Sequence, residues 1–269
     1  MTKELIYNIT DKECSLQTLE NLTGFKKECW EHYTFEAKVM EKDIDKAIDD
    51  IIERFNLNID FKPEDMICVL QQITTSANGC ENIKEHGLTD LVTTYSDLKS
   101  ELRGFLEEQQ VYIDLENKQL FYQDECVGSI RYSDYNYSSD FHSKKHYLWS
   151  VGRKFYYDFC VCGFYSFDHE HPYGGNVHER PEIIFNISQL IKKRIDNIWR
   201  DTHKCYVVTF KVPFNSVHND FEGDIQKTLL YFAFKNAMYD EMGENIVLVK
   251  NGIQIPPEDI VSIERFDFK

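Results

Sequence analysis

Three places in the chain bring together side chains able to do chemistry. The first is Gln72-Ile73-Thr74-Thr75-Ser76, followed by Cys80 and by His86-Gly87-Leu88. Hydroxyls that leave a buried strand and face the opening of a short helix can hold a ribose or an amide by hydrogen bonds. The same groups also cap helices, and Ser76 or Asn78 would then serve free backbone donors. The second is Glu244, which precedes the apolar run 246–249 and the segment Ile255-Pro256-Pro257-Glu258-Asp259-Ile260. A carboxylate at the head of a strand can project into a cleft, where it stabilises developing positive charge or takes a proton. Standing alone, such a residue is an exposed turn carboxylate. The third is Cys160 and Cys162 with His169, His171 and His178, all inside 19 residues. On a strand the two thiols would share a face, a geometry open to zinc. Two small thiols on an aromatic strand are equally ordinary core, and metal sites favour the wider C-x-x-C spacing, so no metal is assigned. Glu179 and Glu182 form a rival carboxylate pair, and Gly174-Gly175 lacks the strand, G-x-G-x-x-G and helix context of a dinucleotide loop.

Taken together, the first two segments resemble the ADP-ribosyltransferase fold family, especially its nucleic-acid-modifying toxins and the tRNA 2'-phosphotransferase. In that family a first strand ends in His or Arg with Thr or Ser, a helix ending in Gly-Leu follows, and a late Glu begins a strand near an Ile-Pro-Pro-like turn. Here Gln72 stands where a His is common, Thr74, Thr75 and Ser76 match the ribose-contacting hydroxyls, residues 83–88 match the helix, and Glu244 matches the catalytic carboxylate. The resemblance implies an α+β fold of two small packed sheets with flanking helices and NAD bound in the cleft between them. It further implies a nicotinamide stacked on Tyr156 or Tyr157 and an ADP-ribosyl group passed to a macromolecular acceptor. Arg153 is the expected pyrophosphate contact, since a guanidinium forks onto phosphate oxygens; a surface ion pair is its plainer role.

The elements that would position these residues follow from periodicity. Ile44, Ile48, Ile51, Ile52 and Phe55 fall on one face with acids opposite, which predicts an amphipathic helix over 42–55. Breakers around Pro63 place a boundary between a helical N-terminal region, 1–62, and an α+β main domain, 63–269. Within that domain 66–70 reads as a buried strand, 71–76 as a polar turn, and the next residues as a helix stopping before Gly87. A hairpin is expected from 111–115 and 119–123, an exposed loop over 133–140, and strands over 155–167 and 183–187. A helix carrying Leu190, Ile195 and Trp199, a strand over 206–212, a helix over 224–241 and strands at 246–249 and 260–263 complete the chain. No repeat of 20 to 50 residues is visible.

Composition bounds the partners. With 46 acidic and 30 basic residues the formal charge is -16, which repels phosphate backbones at long range and leaves room only for a local basic groove. Eight cysteines without dense framework spacing read as reduced thiols, and with neither a signal peptide nor an apolar span the expected location is the cytoplasm. The same charge supports a second function, a non-enzymatic acidic protein of a phage or mobile element that binds and inhibits a host protein. Its contact surface would include Tyr132, Tyr135 and Tyr137 with Asp134 and Asp140.

Overall fold

A computed structural model of the chain describes residues 4–135, 141–158, 160–168, 176–218, 223–239 and 245–267. In chain order its elements are β1 (Leu5–Tyr7), α1 (Lys12–Thr23), α2 (Lys27–Val39), α3 (Ile44–Phe55), β2 (Met66–Ser76), α4 (Glu81–His86), α5 (Leu91–Ser96) and α6 (Glu101–Glu108). There follow β3 (Val111–Asp114), β4 (Gln119–Tyr122), β5 (Glu125–Ser129), α7 (Lys144–Tyr156), β6 (Cys162–Phe164), α8 (Glu182–Ile191) and α9 (Ile195–Thr202). The last are β7 (Lys204–Pro213), α10 (Ile225–Tyr239), β8 (Ile246–Leu248) and β9 (Ile260–Arg265). The fold is α+β: one six-stranded sheet of order β8-β6-β2-β7-β9 with β1 parallel to β2, one three-stranded antiparallel sheet, and flanking helices. No helix among the described residues is long and apolar enough to cross a membrane.

The chain divides into two compact units. The first comprises Met1–Gln72, Cys162–His171 and Thr209–Lys250. Two of its N-terminal helices, α1 and α3, begin where side chains replace missing backbone partners: Asp11 accepts from the Cys14 N–H and Asp43 from the Lys46 N–H. They end on left-handed residues, Gly24 and Asn56. α1, α2 and α3 pack on α10, with Trp30 edge-on to Phe234 at 5.9 Å. The buried Asn236 donates to Ile9 O at 2.7 Å and to Ser15 Oγ at 2.8 Å, which ties α10 to the start of the chain.

The second unit comprises Ile73–Val161, Pro172–Val208 and Asn251–Lys269. Its core gathers Tyr95, Leu106, Val111, Ile113, Leu120, Leu148, Val151, Phe155, Ile184, Ile187 and Trp199. β3 and β4 pair from Val111↔Tyr122 to Asp114↔Gln119, so the expected hairpin is present, its turn held by Asp114 accepting from the Asn117 N–H at 2.9 Å. The β4–β5 turn uses Gln123 and Asp124, both left-handed (φ 52° and 64°), the pattern of a type I′ turn.

Three expectations are corrected. The polar segment 71–76 continues β2 to Ser76, because its hydroxyls find tertiary partners and Gln71 pairs with Phe164 in the sheet. The aromatic segment 155–167 divides: Ser143 caps α7, and Leu148, Val151 and Phe155 recur at helical spacing, so that among the described residues only Cys162–Phe164 are strand. The apolar run 183–187 belongs to α8, where Ile183, Ile184, Ile187 and Leu190 form a helical stripe, and a left-handed Lys192 separates α8 from α9. The helix expected over 42–55 is α3, the described part of the one expected over 224–241 is α10, and the closing strands are β8 and β9.

Candidate functional site

A polar cluster of the second unit forms where β2 ends. Ser100 caps α6 by accepting from the Arg103 N–H, which sets Glu101 in the first turn. The Glu101 carboxylate then accepts from Ser76 Oγ at 2.7 Å, the Ala77 N–H at 2.7 Å and the Asn78 N–H at 3.1 Å. Ser76 Oγ in turn accepts from the Cys80 N–H at 2.8 Å, so one hydroxyl joins strand, turn and the start of α4. Thr75 Oγ1 accepts from Trp199 Nε1 at 2.8 Å. His203 stacks on Trp199 with centroids 3.6 Å apart and planes 12° apart, and Phe105 meets the indole edge-on at 4.9 Å.

The charges here are structural. Both Glu101 oxygens serve fixed donors. Burial pushes the Cys80 thiol up to about 11, so the protonated, poorly nucleophilic form holds at neutral pH. Burial likewise holds the His203 imidazole below its ordinary 6.5, against the opposing pull of the Trp199 carbonyl oxygen. The sign follows: below that ordinary value the unfolded chain takes up a proton that folded His203 resists, so its contribution is intact above about pH 6.5 and is lost as pH falls. Urea unfolding at pH 7.5 and 5.5 should show wild type losing more stability between the two than His203→Gln. Equal losses would place the imidazole in a solvated setting.

A second arrangement joins two distant segments of this unit. After α4, Gly87 (φ 78°, ψ -163°) turns the chain so that Leu88 and Ile255 exchange both backbone hydrogen bonds, each 2.9 Å. A Cβ on Gly87 would lie 1.9 Å from the Ile255 carbonyl oxygen, so only glycine permits this approach. The helix-Gly-Leu segment and the Ile-Pro-Pro segment are thereby neighbours.

The expected site residues are distributed as follows. Thr75 and Ser76 are buried and engaged as described, which commits them to the fold. Gln72 and Thr74 alternate with Thr75 along β2 and share a face with Ser76; both are half-buried, and the buried Gln72 Oε1 has no hydrogen-bond partner. Tyr156 donates to Leu115 O at 3.0 Å under Lys118 Nζ, 4.4 Å from the ring centre, so this ring is already occupied. Arg153 and the exposed Tyr157 lie at the end of α7, the guanidinium 5.8 Å from the ring centre and 3.8 Å from Asp158 Oδ2. Glu182 pairs with Lys154 Nζ at 2.8 Å and Glu179 with Arg200 at 3.7 Å, the ion pairs expected of exposed carboxylates. Cys160 lies outside the strand that Cys162 begins. Glu244, His169, His171, Gly174, Gly175, Tyr137 and Asp140 lie outside the described residues. Tyr135 is half-buried and donates to Ser129 O at 2.7 Å, so it is not the exposed ring its setting suggested.

Sequence reasoning missed Glu101 as the organiser of the β2 end. Ser100-Glu101 signals a helix start, whereas the partners lie 23 to 25 residues upstream, beyond the reach of any local pattern. Comparison with known protein families, with curated proteins and with solved structures finds no match.

Proposed function

We propose that the protein is an NAD-consuming ADP-ribosyltransferase acting on a macromolecular acceptor. The observation that carries this reading is the Leu88–Ile255 pairing, which joins two segments of the family-like pattern that are remote in sequence. In this reading the C1′–N bond to nicotinamide breaks, its electron pair leaves with the nicotinamide, and an acceptor nucleophile bonds to C1′ and gives up a proton. Glu244 holds the nicotinamide ribose and stabilises the oxocarbenium-like charge. Gln72 and Thr74 take over the ribose-facing role that Thr75 and Ser76 have given to the fold.

The test is nicotinamide release from NAD, with melting followed alongside. Glu244→Gln should lower release about 10²–10³-fold with unchanged melting, and NAD should raise the melting temperature of both proteins by mass action. Retained turnover in both Glu244→Gln and Glu182→Gln would remove the reading.

One observation favours a second reading, the acidic inhibitor. An open groove of about 640 Å³ beside the three-stranded sheet is lined by Glu107, Asp114 and Asp124 with Tyr112 and Phe121, a surface suited to a basic protein partner. NAD would leave the melting of such a protein unchanged.

A further inference from the structure

We propose that the outer face of α2 is a self-association surface, on which a second copy of the chain docks antiparallel about a two-fold axis. The inner face of α2 carries Trp30, Thr34 and Ala37, which are buried where the helix packs on α1 and α10. A helix held that way normally turns polar side chains to water. Here Phe35 is 67%, Val39 65% and Met40, at the helix end, 61% exposed. These are three of the five most exposed large apolar side chains among the described residues, and they fall within six consecutive positions. Phe35 and Val39 are four residues apart and so form one stripe. Tyr239, exposed at the end of α10 with Lys38 Nζ 5.7 Å from its ring centre, borders the patch.

The charges beside the stripe identify its occupant. Glu31 and Lys38 are both exposed and are seven residues, two turns, apart, so they flank Phe35 on one side of the helix, about 10 Å from each other along its axis. The Glu31 carboxylate has no partner among the described residues. A two-fold axis crossing α2 midway between them, beside Phe35, sets each Glu31 against Lys38 of the partner subunit and each Phe35 against Phe35 of the partner subunit. Acid, ring and base in that order are self-complementary, which is what an isologous interface demands of a single surface. Three apolar side chains and their flanks fall short of the ~800 Å² per partner of a standard complex, so the dimer forms with a Kd on the order of 10–100 µM. The surface uses neither Glu244 nor β2, so it stands whether or not the protein consumes NAD.

The experiment is sedimentation velocity of the full chain from about 1 to 500 µM in about 0.15 M salt, where a Debye length of about 8 Å screens the repulsion arising from the net charge of -16. Wild type should shift from monomer towards dimer as concentration rises. Phe35→Ser removes an exposed ring from each side at little change in helix propensity, and should weaken association at least tenfold while the dilute protein melts as wild type does. Glu31→Lys and Lys38→Glu each create two like-charge contacts per dimer and should each weaken association about tenfold. Mixed in equal amounts, these two variants regain both opposite-charge contacts and should associate more tightly than either does alone. Wild type that stays monomeric throughout, Phe35→Ser that associates like wild type, or a mixture no tighter than its components would each overturn the proposal. Co-sedimentation of a monomeric wild type with anionic phospholipid vesicles would overturn it in favour of a membrane as the occupant of this face.

Discussion

Gly87→Ala should destabilise the protein by about 3 kcal/mol or more, lowering Tm by roughly 6–12 °C. Two independent causes add. The conformation at Gly87 (φ 78°, ψ -163°) belongs to a region essentially reserved for glycine, which costs a residue with a Cβ of order 1–3 kcal/mol. The added methyl would also meet the Ile255 carbonyl oxygen at 1.9 Å and its carbon at 2.9 Å, backbone atoms that cannot rotate aside. The Leu88–Ile255 pair must then open, and with it the contact between α4 and the segment that leads into β9. Gly104→Ala is the matched control: it sits inside α6 with nothing within 4 Å of the new methyl, and alanine there should be neutral or stabilising by about 0.5–1 kcal/mol. Thermal melting of the two variants decides the matter. A Gly87→Ala protein that melts with wild type would mean that the Leu88–Ile255 pairing is not formed.

Glu101→Ala should cost about 2 kcal/mol, with Glu101→Gln between it and wild type. The alanine variant strands Ser76 Oγ, which is 2% exposed and donates to Glu101, while the Ala77 and Asn78 N–H groups are exposed enough for water to replace the carboxylate. Glutamine keeps one acceptor oxygen and loses the charge, so its deficit measures the charge-assisted part alone. Denaturant unfolding separates the three proteins. Equal stability of wild type and Glu101→Ala would show that the hydroxyl at the β2 end is held by Asn78 Oδ1, 3.0 Å away, without the acid.

What the sequence revealed, and what it concealed, divides along physical lines. α3 and α10 were legible because an amphipathic or continuously apolar stripe of that length has one economical explanation. The β3–β4 hairpin was legible because Glu116-Asn117-Lys118 interrupts two short β-prone runs. The start of α8 and the last residues of α7 read as strand because Tyr, Phe, Val, Ile and Cys favour strands when counted as types, whereas tertiary packing uses them at a spacing of three and four. The deciding signals, Ser143 ahead of α7 and Pro181 ahead of α8, are single residues. At the site, the sequence located the hydroxyls of β2 and could not show which were free: Thr75 meets Trp199 and Ser76 meets Glu101 only through long-range folding. Gln72 and Thr74 lie on the face that alternates with Thr75 and stay only half-buried.

The outermost strand of the larger sheet ends one side of its hydrogen-bonding ladder, and among the described residues β9 pairs there with β7 alone. Such a rim invites recruitment of any extended chain, another copy included. Its apolar half exposes Val261, 53% accessible, but Glu264 and Arg265 stand exposed at its far end and Asp267 follows at once, with Arg265 3.4 Å from Asp267. A newcomer would have to strip water from those charges along the very register it sought to extend, so the rim carries its own deterrent to runaway polymerisation.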